Sequence, residues 1–257
     1  MQLKGKVAIV LGASRGCGKY FALALAKEGA SVVVAARSDK PGPLPGTIQE
    51  TAEEIKRGGG QALAIRCDAA VPNDIQRLVG ETVFRLRRVD VLVNNAANAA
   101  RMPFVNVTPD WWDEYFHVNV RGPFLACQAV LPHMVQQGGG SIINVTSGAA
   151  TAPINETAMH HHGMYAITKA ALDRLSTWLA AELKPRNIAV NSLSPGPTIT
   201  EGILDRLPAE RREASGLSWR TASVEYLGPS IIHLAKQDAS GITGKVLRID
   251  DYGKGWP

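Results

Sequence analysis

Two residues of this 257-residue chain have the types and spacing for acid–base chemistry, Tyr165 and Lys169. Four positions apart on a helix, they share one face and can reach the same substrate atom. A tyrosine with an ordinary pKa of about 10 is a poor base at neutral pH, but an ammonium beside it stabilises the phenolate and lowers that value. The pair can therefore give or take a proton. Alone, the spacing is often a surface tyrosine beside a lysine, so it needs company.

A second constellation lies near the start of the chain. Gly12, Ala13, Ser14, Arg15, Gly16, Cys17 and Gly18 follow a short apolar run and precede a segment of helical periodicity. Glycines there permit a tight turn whose backbone N–H groups approach a pyrophosphate at a helix N-terminus. The spacing is Gly-x-x-x-Gly-x-Gly, and the order strand, turn, helix favours a dinucleotide turn over glycines that serve packing alone. At the end of the next strand, where an acidic residue would take a ribose 2′-hydroxyl, stand Ala35, Ala36 and Arg37. Arg37 with Arg15 could hold a 2′-phosphate by charge-assisted hydrogen bonds, which favours NADP(H) over NAD(H). The alternative is a solvated Arg37 with Asp39 as the acid.

These groups need a scaffold. Short apolar runs at Val7–Leu11, Ser31–Ala35, Gln61–Arg66, Val89–Asn94, Ser141–Thr146, Ala189–Ser194 and Lys245–Ile249 read as strands. Helical periodicity covers Gly18–Glu28, Thr47–Arg57, Pro72–Arg87, Pro109–Gln136, Tyr165–Leu183 and Ser223–Ala235. Crossovers of this length require parallel pairing, so the predicted fold is α/β, a Rossmann-like doubly wound parallel sheet of about seven strands with helices on both faces. No linker-like run divides it, and a single dinucleotide-binding and catalytic domain over residues 1–257 is expected. Two segments break the rhythm. Ser38–Gly46 carries Pro41, Pro43 and Pro45 and reads as an extended surface loop, and Gly148–Gly163 carries Pro153 and His160, His161 and His162.

Composition narrows the function classes. Hydrophobic residues at 45% and charged residues at 20% supply enough apolar area for a buried sheet. The net charge of +5 is spread over short clusters such as Arg85, Arg87, Arg88 and Arg211, Arg212, which read as solvated helix faces, so no nucleic-acid partner is expected. Cys17, Cys67 and Cys127 are far apart, without disulfide or zinc spacing, which fits a reducing cytoplasm. No apolar run approaches about 18 residues, so a soluble protein without membrane insertion is expected. Three adjacent histidines cannot all point inward from a regular element, and no acidic partner shares their spacing. They read as pocket lining or solvated loop, and no metal site is assigned.

The turn at Gly12–Gly18, Asn94 with Asn95 and Ala96, Asn119 between Val118 and Val120, Ser147 after a strand, Tyr165 with Lys169, and Pro195 with Gly196 occur in one order along the chain. With these motifs the sequence closely resembles the short-chain dehydrogenase/reductase family over nearly its whole length. The resemblance implies an NADP(H)-dependent oxidoreductase that interconverts a carbonyl and a secondary alcohol by hydride transfer. Tyr165 would act as acid and base, and Lys169 would lower its pKa and bind the nicotinamide ribose. Ser147 would hold the substrate oxygen, and Asn119 would keep a water linking Lys169 to solvent. For the cofactor, Gly12, Ser14, Arg15, Gly16, Cys17 and Gly18 would take the phosphates, Arg37 the 2′-phosphate, and Asp68 with Ala69 the adenine. Asn94 and Ala96 would flank the adenosine ribose, and Pro195, Gly196, Thr198 and Thr200 the nicotinamide. Plainer roles stay open: Asp68 as a helix cap, Asn94 and Asn95 as strand braces, Thr198 as the cap of the following helix.

Departures from the family pattern mark where its roles transfer less directly. Leu11 and Ala97 replace a common threonine and a usual glycine, and Ala97 would be strained at positive φ. Ser147 and Tyr165 stand further apart than the family commonly shows, so Thr146 is a competing hydroxyl. Glu201–Val224 would form a lid over the substrate, carrying Arg206, Arg211, Arg212, Trp219 and Arg220, suited to an anionic or aromatic substrate or to a solvated face. The tail through Trp256 offers an apolar anchor for a subunit interface, and the resemblance implies a homotetramer, or a homodimer. Other classes open to the chain are a non-catalytic NADP-binding regulatory protein and a dehydratase or epimerase on the same fold; Asn119, Ser147, Tyr165 and Lys169 together argue against both.

Overall fold

A computed structural model describes residues 1–152, 162–214 and 216–256. Val7–Leu11 (β1) is buried along its whole length and lies mid-sheet. The chain then passes through α1 (Gly16–Lys27), β2 (Ser31–Ala36), α2 (Ile48–Arg57) and β3 (Gln61–Arg66), building outward on one side. After α3 (Pro72–Leu86) it crosses to the other side of β1 for β4 (Val91–Asn94). Helices α4 (Pro109–Phe116) and α5 (Gly122–Gln136), β5 (Gly140–Val145), α6 (Gly163–Leu183) and β6 (Ile188–Ser194) follow. A short pair, β7 (Thr198–Ile199) and β8 (Arg220–Thr221), frames α7 (Glu201–Arg206) and α8 (Ala209–Ala214). Helix α9 (Val224–Ala235) and β9 (Val246–Arg248) close the sheet. The strand order β3-β2-β1-β4-β5-β6-β9 is parallel throughout, a Rossmann-like sheet.

Alternation along each strand makes the two cores. Ala8, Val10, Val32, Val34, Val91 and Val93 pack with apolar residues of α1, α2 and α9, while Ile9, Leu11, Val33, Ala35 and Leu92 pack with those of α3, α5 and α6. The helices start where side chains cap them. Thr47 and Glu50 form a reciprocal capping box on α2, and Thr108 and Ser223 cap α4 and α9. No described helix is long and apolar enough to cross a membrane. The reversal of strand order at β1 and β4 opens a crevice at their carboxyl ends, where an open α/β sheet binds ligands.

Three features differ from the sequence reading. The expected single helix Pro109–Gln136 is interrupted at His117–Arg121 by a π turn. Val89 and Asp90 precede β4 instead of opening it. Trp256 packs into this chain's own core, its indole N–H donating to the Arg248 carbonyl at 2.9 Å and its ring edge-on to Tyr252. Within Glu201–Val224, the Arg212 guanidinium donates to the Leu207 carbonyl and the Trp219 indole to the Arg212 carbonyl.

Asp90 staples the amino ends of the central strands. Its carboxylate accepts from the Val7 N–H at 2.9 Å, from Arg88 at 2.6 and 2.7 Å, and from Lys6 at 3.1 Å, with 4% of the residue exposed. Burial pushes its pKa up, but the Arg88, Val7 and Lys6 bonds outweigh it and hold the carboxyl below its usual value. A depressed carboxyl pKa stabilises the fold above the unfolded-state pKa, and that contribution is lost as pH falls through the folded-state value. Asp90→Ala is expected to cost about 1–3 kcal/mol at pH 7 by urea denaturation, since the buried Val7 N–H loses its partner. The gap from wild type should narrow as pH falls through the folded-state value; a gap unchanged with pH contradicts the ionic part of this account.

Candidate active site

The glycine turn follows β1 directly. Gly12 has φ +82°, and its N–H donates to the Ala35 carbonyl at 2.7 Å. A Cβ there would lie 2.6 Å from the Ala96 nitrogen, and one on Gly18 would collide with the Gly12 carbonyl and the Asn95 amide. Asn95 completes the seam by donating to the Gly12 carbonyl at 2.8 Å. Helix α1 begins at Gly16 behind Arg15, which has no side-chain oxygen to cap it, so the first N–H groups are available to an anion. One already has a carboxylate: the Gly16 N–H donates to Glu201 at 2.9 Å. The turn therefore has the glycines, the direction and a helix N-terminus already paired with one carboxylate, the features that suit a dinucleotide phosphate.

The two arginines at the turn differ. Arg15 donates through Nε and Nη2 to the carbonyls of Leu44, Pro45 and Gly46 at 2.7–3.2 Å, clamping the proline-bearing loop onto the turn. Arg37 is exposed just after β2: its carbonyl accepts from the Asp39 N–H at 3.1 Å, and its guanidinium makes no hydrogen bond or ion pair among the described residues. Asp39 lies 3.9 Å from Arg66. Ser14 and Ala69 are buried; burial pushes the Cys17 thiol up to about 12, so it stays protonated.

Across the sheet, Lys169 projects from the second turn of α6 into a place where 2% of it is exposed. Its ammonium donates to the Val145 carbonyl at 2.6 Å and stands 5.5 Å from the centroid of the Tyr165 ring. Burial brings its pKa down to about 8, opposed by the charge of Asp173 one turn further on. Val145 ends β5, so the strand that leads to Ser147 also anchors the lysine. Ser147 is half-buried and accepts from the Ala149 N–H at 3.2 Å, capping the 3-10 turn Gly148–Ala150. Thr146 is buried with its hydroxyl toward Asp173. Of the competing hydroxyls, Ser147 is the one nearer solvent.

Asn119 sits within the π turn and is fully buried. Its Nδ2 donates to the Asn98 carbonyl and to the Thr168 hydroxyl, both at 2.9 Å, and its Oδ1 accepts from the Asn98 N–H at 2.7 Å. Thr168 in turn donates to the Tyr165 carbonyl at 2.9 Å. The π turn's extra residue suits this aim, since such insertions redirect side chains near functional sites. Gly122, where the α-helix resumes, approaches the loop after β3 so closely that a Cβ would lie 2.5 Å from the Ala69 carbonyl.

The remaining expected residues divide between the crevice and its walls. Asp68 accepts from the Ala70 N–H at 2.9 Å in a local turn, and its own N–H donates to Asp74; the α3 cap is Val71. Asn94 donates to Asn144 on β5 at 2.8 Å, bracing the two strands, with its Oδ1 buried and unbonded. Thr198 donates to the Pro195 and Gly196 carbonyls, and it is Thr200 that caps the next helix, its side chain packed near Gly16. Ala97 is free of the anticipated strain, since Arg87 and Asn187 are the described non-glycine residues with positive φ. His160 and His161 lie outside the described residues; His162 stacks on Tyr165. No group of three metal-ligating side chains occurs among the described residues. Sequence reasoning missed Asn98, Thr168 and Glu201, whose hydrogen bonds span 21 to 185 residues, and no spacing signal reveals such pairs.

Comparison with known proteins agrees with this geometry. Residues 6–209 match the family model described as short chain dehydrogenase. An uncharacterised oxidoreductase of Methylorubrum extorquens is 37% identical over 96% of both chains. A 7α-hydroxysteroid dehydrogenase solved with NADH and 7-oxo glycochenodeoxycholic acid is 29% identical, with a TM-score of 0.83 over 96% of this chain and 93% of that one. A short chain dehydrogenase from Burkholderia cenocepacia solved with NADP is 28% identical, with a TM-score of 0.84 over 96% and 97%. With glycine turn, strand order and Tyr165–Lys169 helix arranged on one sheet, and with the match running through all of them, the chain belongs to the short-chain dehydrogenase family.

Proposed function

We propose that this protein is an NADP(H)-dependent oxidoreductase interconverting a small-molecule carbonyl and a secondary alcohol, with residues 1–257 acting as one dinucleotide-binding and catalytic domain in the cytoplasm. The observation that carries the reading is the buried Lys169 ammonium 5.5 Å from the Tyr165 ring. The Gly12–Gly18 turn would hold the phosphates of the dinucleotide, Asp68, Ala69, Asn94 and Ala96 its adenosine, and Pro195, Gly196, Thr198 and Thr200 its nicotinamide end. When bound, the nicotinamide supplies or accepts the hydride.

The chain's own residues handle the proton and the alignment. Tyr165 donates its hydroxyl proton to the carbonyl oxygen during reduction and takes it back from the alcohol during oxidation. Lys169 places a positive charge beside the phenolate as it forms, in a setting of low polarity that strengthens the attraction. Ser147 holds the substrate oxygen by a hydrogen bond. Asn119, tied through Thr168 to the first turn of α6, fixes the lysine and tyrosine relative to the sheet and keeps the route from Lys169 to solvent.

Arg37 supports the choice of NADP(H), being an uncommitted guanidinium at the end of β2, where Arg15 is held by three carbonyls. Apolar residues exposed on α4 and α6, Trp112, Ile167 and Trp178, suit an assembly of identical subunits, and we propose a homotetramer. Ile167 and Trp178 are three helical turns apart and share a face.

Three outcomes are expected. Tyr165→Phe should lower kcat by about 10²–10⁴ with NADPH affinity kept, read by absorbance with purified protein and a panel of ketones, quinones, oxoacyl thioesters and oxosteroids; unchanged kcat refutes the mechanism. Arg37→Ala should weaken NADPH by about ten- to a hundredfold and NADH little, by fluorescence titration, whereas equal losses refute 2′-phosphate recognition. Glu201→Gln should tighten NADPH by about two- to fivefold, because the Glu201 carboxylate on Gly16 competes for the phosphate seat; weaker binding refutes that competition.

A further inference from the structure

We propose that Tyr226 is a positioning residue for the cofactor, its hydroxyl holding the Pro195–Gly196 backbone against which the nicotinamide is seated. Tyr226 lies in the first turn of α9, where the N-cap Ser223 accepts its N–H at 3.2 Å. From there the phenol reaches back to the carboxyl end of β6. Its hydroxyl donates to the Pro195 carbonyl at 2.8 Å and, more loosely, to Asp250 Oδ1 at 3.3 Å. Asp250 stands in the 3-10 turn that follows β9, and the pairing of Ser194 with Arg248 carries it to the level of Gly196. Its other carboxylate oxygen lies 3.1 Å from the place a Gly196 Cβ would take. The inference rests on the assignment of Pro195 and Gly196 to the nicotinamide end.

The bonds converge on one carbonyl. Thr198 donates to the Pro195 oxygen at 3.0 Å from within the turn, and Tyr226 donates to it from α9, so both acceptor positions of that oxygen are filled. Gly196, the next residue, has φ +71°, which a glycine adopts no more readily than negative φ, so the bonds around it select that conformation. Burial and the Asp250 carboxylate push the Tyr226 pKa up to about 12, and the hydroxyl keeps the proton that it donates. Pro195 precedes and Tyr226 follows the segment Glu201–Val224 expected to cover the substrate, and their bond clasps its two roots together. A backbone fixed before the ligand arrives loses less binding free energy to ordering.

Tyr226→Phe keeps the ring and removes the hydroxyl. Two ligands separate the ends of the site: NADPH, which carries the nicotinamide, and 2′,5′-ADP, which carries only the adenosine half. Calorimetric titration of the variant should show NADPH weakened about three- to tenfold and 2′,5′-ADP within about 1.5-fold of wild type. In the protein without ligand, hydrogen exchange read by mass spectrometry should be faster in peptides covering residues 194–199 and unchanged in those covering the Gly12–Gly18 turn. A wild type that prefers NADH is titrated with NADH and ADP in the same way. Unchanged exchange at 194–199, or equal losses for both ligands, overturns the role of Tyr226. Faster exchange there with dinucleotide affinity unchanged overturns the proposal at the nicotinamide assignment of Pro195 and Gly196. A wild type that binds neither dinucleotide refutes the proposed function and this inference together.

Discussion

A charged ammonium buried beneath the surface is the constraint on which the site depends. Desolvation penalises the charged form of Lys169 and brings its pKa down to about 8. The surroundings offset part of that cost with one short bond to the Val145 carbonyl and the charge of Asp173. Because Val145 is the last residue of β5, the lysine can be held only if that strand ends where it does and α6 packs across it. The same end of β5 delivers Ser147. One buried charge thus ties the acid–base residues to the sheet.

A polar seam continues from this point through the core. Asn144 on β5 accepts from Asn94 on β4 and donates to the Ser176 hydroxyl on α6 at 2.8 Å, and Ser192 on β6 donates to Ser176 at 3.0 Å. Each amide or hydroxyl removes a desolvation penalty from the next, so the seam is stable only as a set. It ties three strands to α6 at Ser176, two helical turns beyond Lys169. Asn119 does the same from the opposite side, with both its donors used on Asn98 and Thr168. The phosphate turn is built differently, by what is left out: Gly12 and Gly18 have no Cβ where Ala96, Asn95 and a carbonyl must sit.

The strand–helix alternation was legible in the sequence because parallel strands buried on both faces read as apolar runs, and the helices between them carry caps and a 3.6-residue period. The expected strands Val7–Leu11 and Gln61–Arg66 match the structure residue for residue. Where the reading differed, a tertiary contact was responsible. Asp90, paired with Arg88 and Lys6, delays the start of β4, and the Asn119 contacts accompany the π turn that splits the predicted helix Pro109–Gln136. Arg15 looked like a partner for Arg37 because sequence shows charge and spacing, but not the three carbonyls of a loop some thirty residues away.

The sequence by itself determined the chemistry available: a tyrosine and a lysine one helical turn apart, glycines between a strand and a helix, and an arginine where an acid would stand. These are local facts, carried by residue type and by the period of a helix. Only the tertiary structure decided how those groups are held. Which carbonyl receives the ammonium, which carboxylate occupies the anion seat at Gly16, and which ring lies against Tyr165 depend on the packing of elements distant in sequence or on a loop's final backbone path. Burial and hydrogen-bond partnership arise only when those elements meet, and no pattern within one segment encodes them.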